Sequence, residues 1–290
     1  MLRIMIEIGK VIQYNKFIKR YNGSIIGTVC EGGMKSLSLK TLEKSLELLR
    51  CFSEEKPAWG VREIAKELDM SHTIVHRILA TFEQFGYLRQ NPENKKYELG
   101  LEFLQIAQKV KARIQPGDVL VPVMKGLSEQ TGESVFLSWL DGLEGVYVEI
   151  VESSHVLKYS VTVGRRFPLY AGSIGRVMMA HLPEDKQEEI ISRGLNPLTS
   201  RTIVNPEVLR QQLQMIRKNG WAYSAGEYNE GVAGLHMPLF DKNGKILGSL
   251  GIAGPDHRLA EEKVPELLDH LMKARDEIQQ LLNDYSFRYL

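Results

Sequence analysis

Eight polar side chains between residues 71 and 96 have the types and spacing to read a nucleic acid. Ser71, His72, Thr73, His76 and Arg77 come close together, and Arg89, Lys95 and Lys96 follow. Short hydrogen-bonding groups beside one guanidinium fork, at the front of a helix, suit base edges in a major groove and the phosphates around it. Over residues 71–97 four Lys/Arg (Arg77, Arg89, Lys95, Lys96) stand against two acids, Glu83 and Glu93, so the stretch is locally basic.

A second group has different chemistry. Ala171, Gly172, Ser173, Ile174 and Gly175 follow Pro168 and open a helical stretch. The leading amides of a helix lack internal acceptors, and small side chains there let a carboxylate or phosphate approach. Val232, Gly234 and His236 alternate along one strand face, with Gly251 and Ala253 on a later strand. Together these residues make a candidate effector site, in which Ser173 adds a hydroxyl donor. Plainer readings stand beside it. Gly172 and Gly175 also suit close helix packing, Ser173 an ordinary helix cap, and His236 a structural histidine bonded to a carbonyl.

No catalytic set competes with these groups. There is no Gly-rich phosphate loop, no His pair at metal-ligand spacing and no nucleophile elbow. Asp256-His257 reads as surface structure. The expectation is therefore no catalytic residue, no metal and no cofactor. The alternative function is a metabolite-converting enzyme with an appended DNA-binding domain.

The elements that must position these residues are legible from periodicity. Val61, Ile64, Ala65 and Leu68 share one helical face; Val75, Ile78, Leu79 and Phe82 share another. Asp69-Met70-Ser71 lies between them, with Ser71 as N-cap of the second helix. That is a helix-turn-helix, whose second helix enters the major groove. Tyr87-Leu88-Arg89, a turn at Asn91-Pro92-Glu93-Asn94, and Lys95-Lys96-Tyr97 add a basic hairpin, hence a wing. Helices and hairpins of this kind also occur in proteins that never touch DNA; here their order carries the reading. Residues 38–52 are read as a first helix with a buried stripe of Leu39, Leu42, Leu46 and Leu49. Residues 99–110 form a helix apolar on more than one side, which calls for a partner such as a second copy of the chain.

Beyond the break at Gln115-Pro116-Gly117-Asp118 helices and strands mix. Helices are expected at 119–129, 183–193, 205–219 and from 264 onward. Strands are expected at 135–139, 146–151, 156–163, 235–240 and 245–252, the last two joined by an Asn243-Gly244 turn. The fold class is α+β: an N-terminal winged helix-turn-helix over residues 35–100, a linker helix over 101–115 and an antiparallel-sheet domain over 116–290.

Whole-chain properties agree with two domains. The chain has 290 residues, 43% hydrophobic and 25% charged, and net charge +1, so DNA affinity must come from a local patch and from pairing copies. No apolar run is long enough to span a membrane. Two cysteines, Cys30 and Cys51, argue against a disulfide framework and suit a reducing cytoplasm; Cys51 reads as a small buried hydrophobe. Residues 1–34 are read as a leader with little structure. Residues 1–33 carry five Lys/Arg against two acids, and the codons of Glu31-Gly32-Gly33 before Met34 would match a purine-rich ribosome-binding site. Met34 or a nearby codon is then the expected start.

Four pieces together resemble the IclR family of bacterial transcriptional regulators, over residues 36–286. They are the winged unit ending Arg89-Gln90-Asn91-Pro92 to Tyr97-Glu98-Leu99-Gly100; Gly164-Arg165-Arg166-Phe167-Pro168-Leu169; Gly220-Trp221-Ala222 with Glu227-Tyr228-Asn229-Glu230-Gly231-Val232; and Gly254-Pro255 with Arg258. The resemblance implies a homodimer or dimer of dimers that binds double-stranded operator DNA. It also implies a GAF-like effector domain for a small metabolite, often a carboxylate, and repression more than activation. This chain departs from the family at Ser173-Ile174-Gly175-Arg176, at Gly234 in place of a common cysteine, and at Gly251-Ile252-Ala253 in place of Ser-x-Ser. The expected result is an enlarged, less polar pocket, with His236 restoring some polarity.

Overall fold

A computed structural model describes residues 39–53, 55–114 and 117–284. The leader expected over residues 1–34, and Cys30 with it, lies outside the described residues. The chain divides into two compact units between Gln105 and Ile106.

In the first unit, α1 (Lys40–Leu49), α2 (Val61–Glu67) and α3 (His72–Gln84) are followed by the hairpin β1 (Leu88–Gln90) and β2 (Tyr97–Leu99). Ile64, Ala65, Met70, Val75, Ile78, Leu79 and Leu88 bury together around Trp59 and Tyr97. The turn between α2 and α3 is tight because Asp69 adopts φ 50° and the buried Met70 amide bonds the Ala65 carbonyl at 2.9 Å. Trp59 bridges to Tyr97, tying the wing to the start of α2. α4 (Glu102–Ile114) follows as the linker helix.

The expected stripe of α1 is corrected. Leu39, Leu42 and Leu46 are 71%, 55% and 54% exposed, whereas Leu49 packs against the core as expected, beside the fully buried Leu48. The first unit's core meets α1 at its C-terminal end, through Leu48 and Leu49. Leu101, Leu104 and Ile106 of the linker region are exposed as well.

The second unit is built on a six-stranded antiparallel sheet of order β5-β4-β3-β8-β7-β6. The strands are β3 (Ser134–Asp141), β4 (Glu144–Val151), β5 (Arg166–Pro168), β6 (Ala222–Ala225), β7 (Val232–Phe240) and β8 (Ile246–Pro255). Side chains alternate across it. Ala233, Leu235, Met237 and Leu239 of β7 join a core with α5 (Gly117–Thr131) and α9 (Val264–Asp284). The opposite face packs against α6 (Gly172–Met179), α7 (Glu184–Ser192) and α8 (Pro206–Asn219). α8 is punctuated as its sequence requires: the Asn205 side chain accepts from the Glu207 and Val208 amides, Pro206 starts the helix, and Gly220 ends it at φ 76°.

The strand expected over residues 156–163 is also corrected: this stretch is a loop. The edge of β4 is already taken by β5, with Val146 opposite Arg166 and Gly145 opposite Phe167. The loop is held instead by side chains. Arg258 donates to the Leu157 carbonyl at 2.9 Å, and Asn229 Nδ2 donates to the Tyr159 hydroxyl at 2.9 Å. The short strands β5 and β6 are elements that residue periodicity did not reveal.

Candidate functional site

α3 presents its polar residues outward. His72, Thr73, His76 and Arg77 are exposed, while Val75, Ile78 and Leu79 anchor the opposite side. Ser71 caps the helix, its hydroxyl accepting from the Ile74 amide at 3.4 Å. Arg77 has no ion-pair partner among the described residues.

The wing's cations divide into two kinds. Lys96 donates to Glu63 of α2 at 3.1 Å, and the other Glu63 oxygen accepts from the Gly60 amide at 2.9 Å. The Gly60 amide, then Lys96, hold the Glu63 carboxyl below its ordinary range. Lys96 thus braces the wing against α2. Arg89 lies 3.7 Å from Glu98 on the paired strand. Lys95 stands exposed at the wing tip in the left-handed conformation, φ 57°.

In the second unit a cavity of about 30 Å³ lies where α6 meets β7 and β8. Among the expected residues, Gly172, Ser173, Ile174, Val232, Gly234, His236 and Ala253 line it, and Ala171, Gly175 and Gly251 do not. Phe136, Tyr147, Tyr159, Ser224, Tyr228, Asn229 and Ala233 complete the wall. A cross-strand register could have pointed to Phe136, which pairs with Gly251; no local signal marks the tyrosines.

The cavity is small because His236 fills the room that the glycines leave. His236 and Gly251 are directly paired on β7 and β8, and a Cβ on Gly251 would lie 2.2 Å from the imidazole. A Cβ on Gly234 would lie 2.9 Å from Ser173 Oγ and 3.1 Å from the same ring. The enlarged pocket expected from small residues at 234, 251 and 253 is therefore not formed. Gly175 serves packing: a Cβ there would sit 2.6 Å from the Pro168 carbonyl.

The leading amides of α6 are engaged. The Ser173 amide donates to Ser224 Oγ at 2.7 Å, and the Gly172 amide pulls on the Glu227 carboxyl, whose Oε2 has no hydrogen-bond partner among the described residues. Glu227 accepts from Arg176 Nη2 at 2.7 Å, and Arg176 is 2% exposed. Burial pushes the Glu227 carboxyl up, against the pull of Arg176 and the Gly172 amide.

His236 Nδ1 lies 2.9 Å from Ser173 Oγ, and its buried Nε2 has no hydrogen-bond partner among the described residues. Burial lowers the imidazole to about 3, so it is neutral. A serine beside a histidine suggests nucleophilic chemistry, but this pair is poorly arranged for it. No third group orients Nε2, and an imidazole so hard to protonate is a weak general base at neutral pH. The arrangement is better suited to holding a ligand by hydrogen bonds.

Elsewhere Cys51 is half-buried, and burial pushes its thiol up to about 11, away from redox reactivity. Among the described residues no cluster of His, Cys, Asp or Glu could hold a metal ion, and no helix is long and apolar enough to cross a membrane.

Comparison with known proteins identifies the family of both units. Residues 41–92 match the IclR helix-turn-helix domain, and residues 113–280 match the bacterial transcriptional regulator IclR C-terminal domain. The chain is similar to the HTH-type transcriptional regulator KipR of Bacillus subtilis, 33% identical over 83% of this chain and 96% of that protein. It is 26% identical to the transcriptional repressor IclR of Escherichia coli, over 83% of this chain and 89% of that one. The crystal structure of Thermotoga maritima IclR superposes with a TM-score of 0.67 at 30% identity, over 84% of this chain and 99% of the other. The chain belongs to the IclR family and is a DNA-binding transcriptional regulator.

Proposed function

We propose that two copies of this chain bind an operator through α3 and the wing, and that a small molecule in the α6–β7–β8 cavity controls the binding. Arg77 and Thr73 contact base edges, with Ser71, His72 and His76 beside them. Arg89 and Lys95 contact phosphates, and Lys96 adds charge while bracing the wing. Pairing uses the exposed leucines of α1 and of the linker region, large apolar side chains that a partner would cover. Repression is the direction of control, supported by the name of the Escherichia coli relative, and the cytoplasm is the compartment.

The observation that carries effector control is the buried His236 Nε2, a hydrogen-bonding group without a partner among the described residues, beside a cavity. The test is operator binding by fluorescence anisotropy, using DNA upstream of the protein's own gene. Compounds that raise the melting temperature are added in turn. A compound that changes operator affinity in the wild type and not in Gly234→Leu supports the reading. Control that survives in Gly234→Leu would place the effector elsewhere.

A further inference from the structure

Resting on the reading that the α6–β7–β8 cavity is the effector site, we infer that its ligand is a small uncharged molecule with a hydrogen-bonding group and an apolar body, rather than a carboxylate.

Charge is the deciding quantity. Among the described residues no Asp, Glu, Lys or Arg lines the cavity. Arg176, on the helix that forms one wall, does not line the cavity; its Nη2 bonds Glu227 at 2.7 Å and the Tyr223 carbonyl at 3.3 Å, its charge is matched by Glu227, and its buried Nε and Nη1 have no partner among the described residues. Of the leading amides that would compensate a carboxylate, Ser173's is engaged by Ser224, and Gly172's already acts on the carboxyl of Glu227. Glu227 already places one negative charge at the N-terminal end of α6. A ligand carboxylate would join it in a low-dielectric interior without a free cation, and an unpaired buried charge is far costlier than a hydrogen-bonded neutral group. His236 does not supply the missing charge, since burial keeps its imidazole neutral.

The polar groups that remain suit a neutral partner. His236 is held on one side by Ser173, which leaves Nε2 for one hydrogen bond with a hydroxyl, carbonyl or amide. Phe136, Tyr147 and Tyr228 offer aromatic surface to the rest of the molecule. The cavity of about 30 Å³ holds about one water, so binding moves part of the wall. Tyr159, Tyr228 and Asn229 are the wall residues that come from loops rather than from the sheet or α6.

Matched pairs of equal shape test the charge directly. Acetamide and acetate, lactamide and lactate, and benzamide and benzoate are titrated into the full-length protein, with melting temperature and isothermal calorimetry as readouts. The expected result is saturable stabilisation by at least one amide, binding about tenfold or more tighter than its carboxylate. In His236→Ala that preference falls towards unity. A carboxylate that binds as well as or better than its amide overturns the inference, as does a series in which no amide binds. Gly234→Leu separates the two layers of the argument. Carboxylate binding lost in that variant keeps the pocket and removes the uncharged class; amide binding retained in it removes the pocket itself. Ala253→Leu fills the same cavity and replaces Gly234→Leu if that variant does not fold.

Discussion

Arg258 grips Glu133 across the second unit with two parallel bonds, Nε to Oε1 at 2.6 Å and Nη2 to Oε2 at 2.7 Å. Gly254 makes the room, since a Cβ there would lie 2.1 Å from Glu133 Oε2. This explains physically why Gly254, Pro255 and Arg258 stand together in the sequence. Glu133 is 4% exposed at its side chain, so Arg258→Ala would strand a buried carboxylate. The expected loss is roughly 3 kcal/mol in urea unfolding. The loop over residues 152–165 should also become easier to cleave, because Arg258 holds the Leu157 carbonyl. A loss below about 0.5 kcal/mol, the size of an ordinary surface change, would refute this role.

His236 should make the fold acid-sensitive. Its imidazole is neutral when folded, at about 3, and protonates near 6.5 when unfolded. Its contribution is complete above pH 6.5 and is lost as pH falls towards 3, at up to about 1.4 kcal/mol per unit. Between pH 7 and pH 5 the wild type should therefore lose about 2 kcal/mol more than His236→Asn in urea unfolding. The asparagine variant can be less stable at pH 7 without affecting this comparison. Equal losses in the two proteins would place His236 in a solvated environment.

Arg77→Ala should weaken specific operator binding by about 1–3 kcal/mol and relax preference at one base pair. Lys95→Ala should weaken binding to all sequences alike and lower the salt slope by about one. Anisotropy titrations over a salt series distinguish the two. If Arg77→Ala behaves like Lys95→Ala, Arg77 contacts a phosphate instead.

The exposed leucines of α1 give a test of assembly. Leu42→Asp with Leu46→Asp should leave the monomer fold intact, because Leu48 and not these residues is buried. Sedimentation should then show a smaller assembly than the wild type, and operator affinity should drop with it. An unchanged mass would mean that the copies meet elsewhere.

Elements governed by local physics were legible in the sequence. Val75, Ile78 and Leu79 repeat at helical spacing and bury together; Asn205, Pro206 and Gly220 bracket α8; Asn243-Gly244 turns the β7–β8 hairpin. What depended on distant partners was not. Alternation over residues 156–163 looked like a strand, but the neighbouring edge was already occupied by β5. Leu39, Leu42 and Leu46 are periodic, yet periodicity does not say whether the partner is the chain's own core. Seven expected residues line the cavity, because strand alternation placed Val232, Gly234 and His236 on one face. The ring filling the Gly251 position, and Glu227 reaching the amide of Gly172, come from residues brought together only by the sheet.

The order of the sheet has a consequence for how copies can meet. Its outermost strands are its two shortest, β5 with three residues and β6 with four. The central strands β3 and β8 are paired on both sides, while β4 meets β5 through Glu144–Val146 and β7 meets β6 through Ala233–His236. A neighbouring molecule therefore meets short outer strands, poor templates on which to grow a continuous sheet. Short edges of this kind guard a sheet against strand-by-strand association between copies.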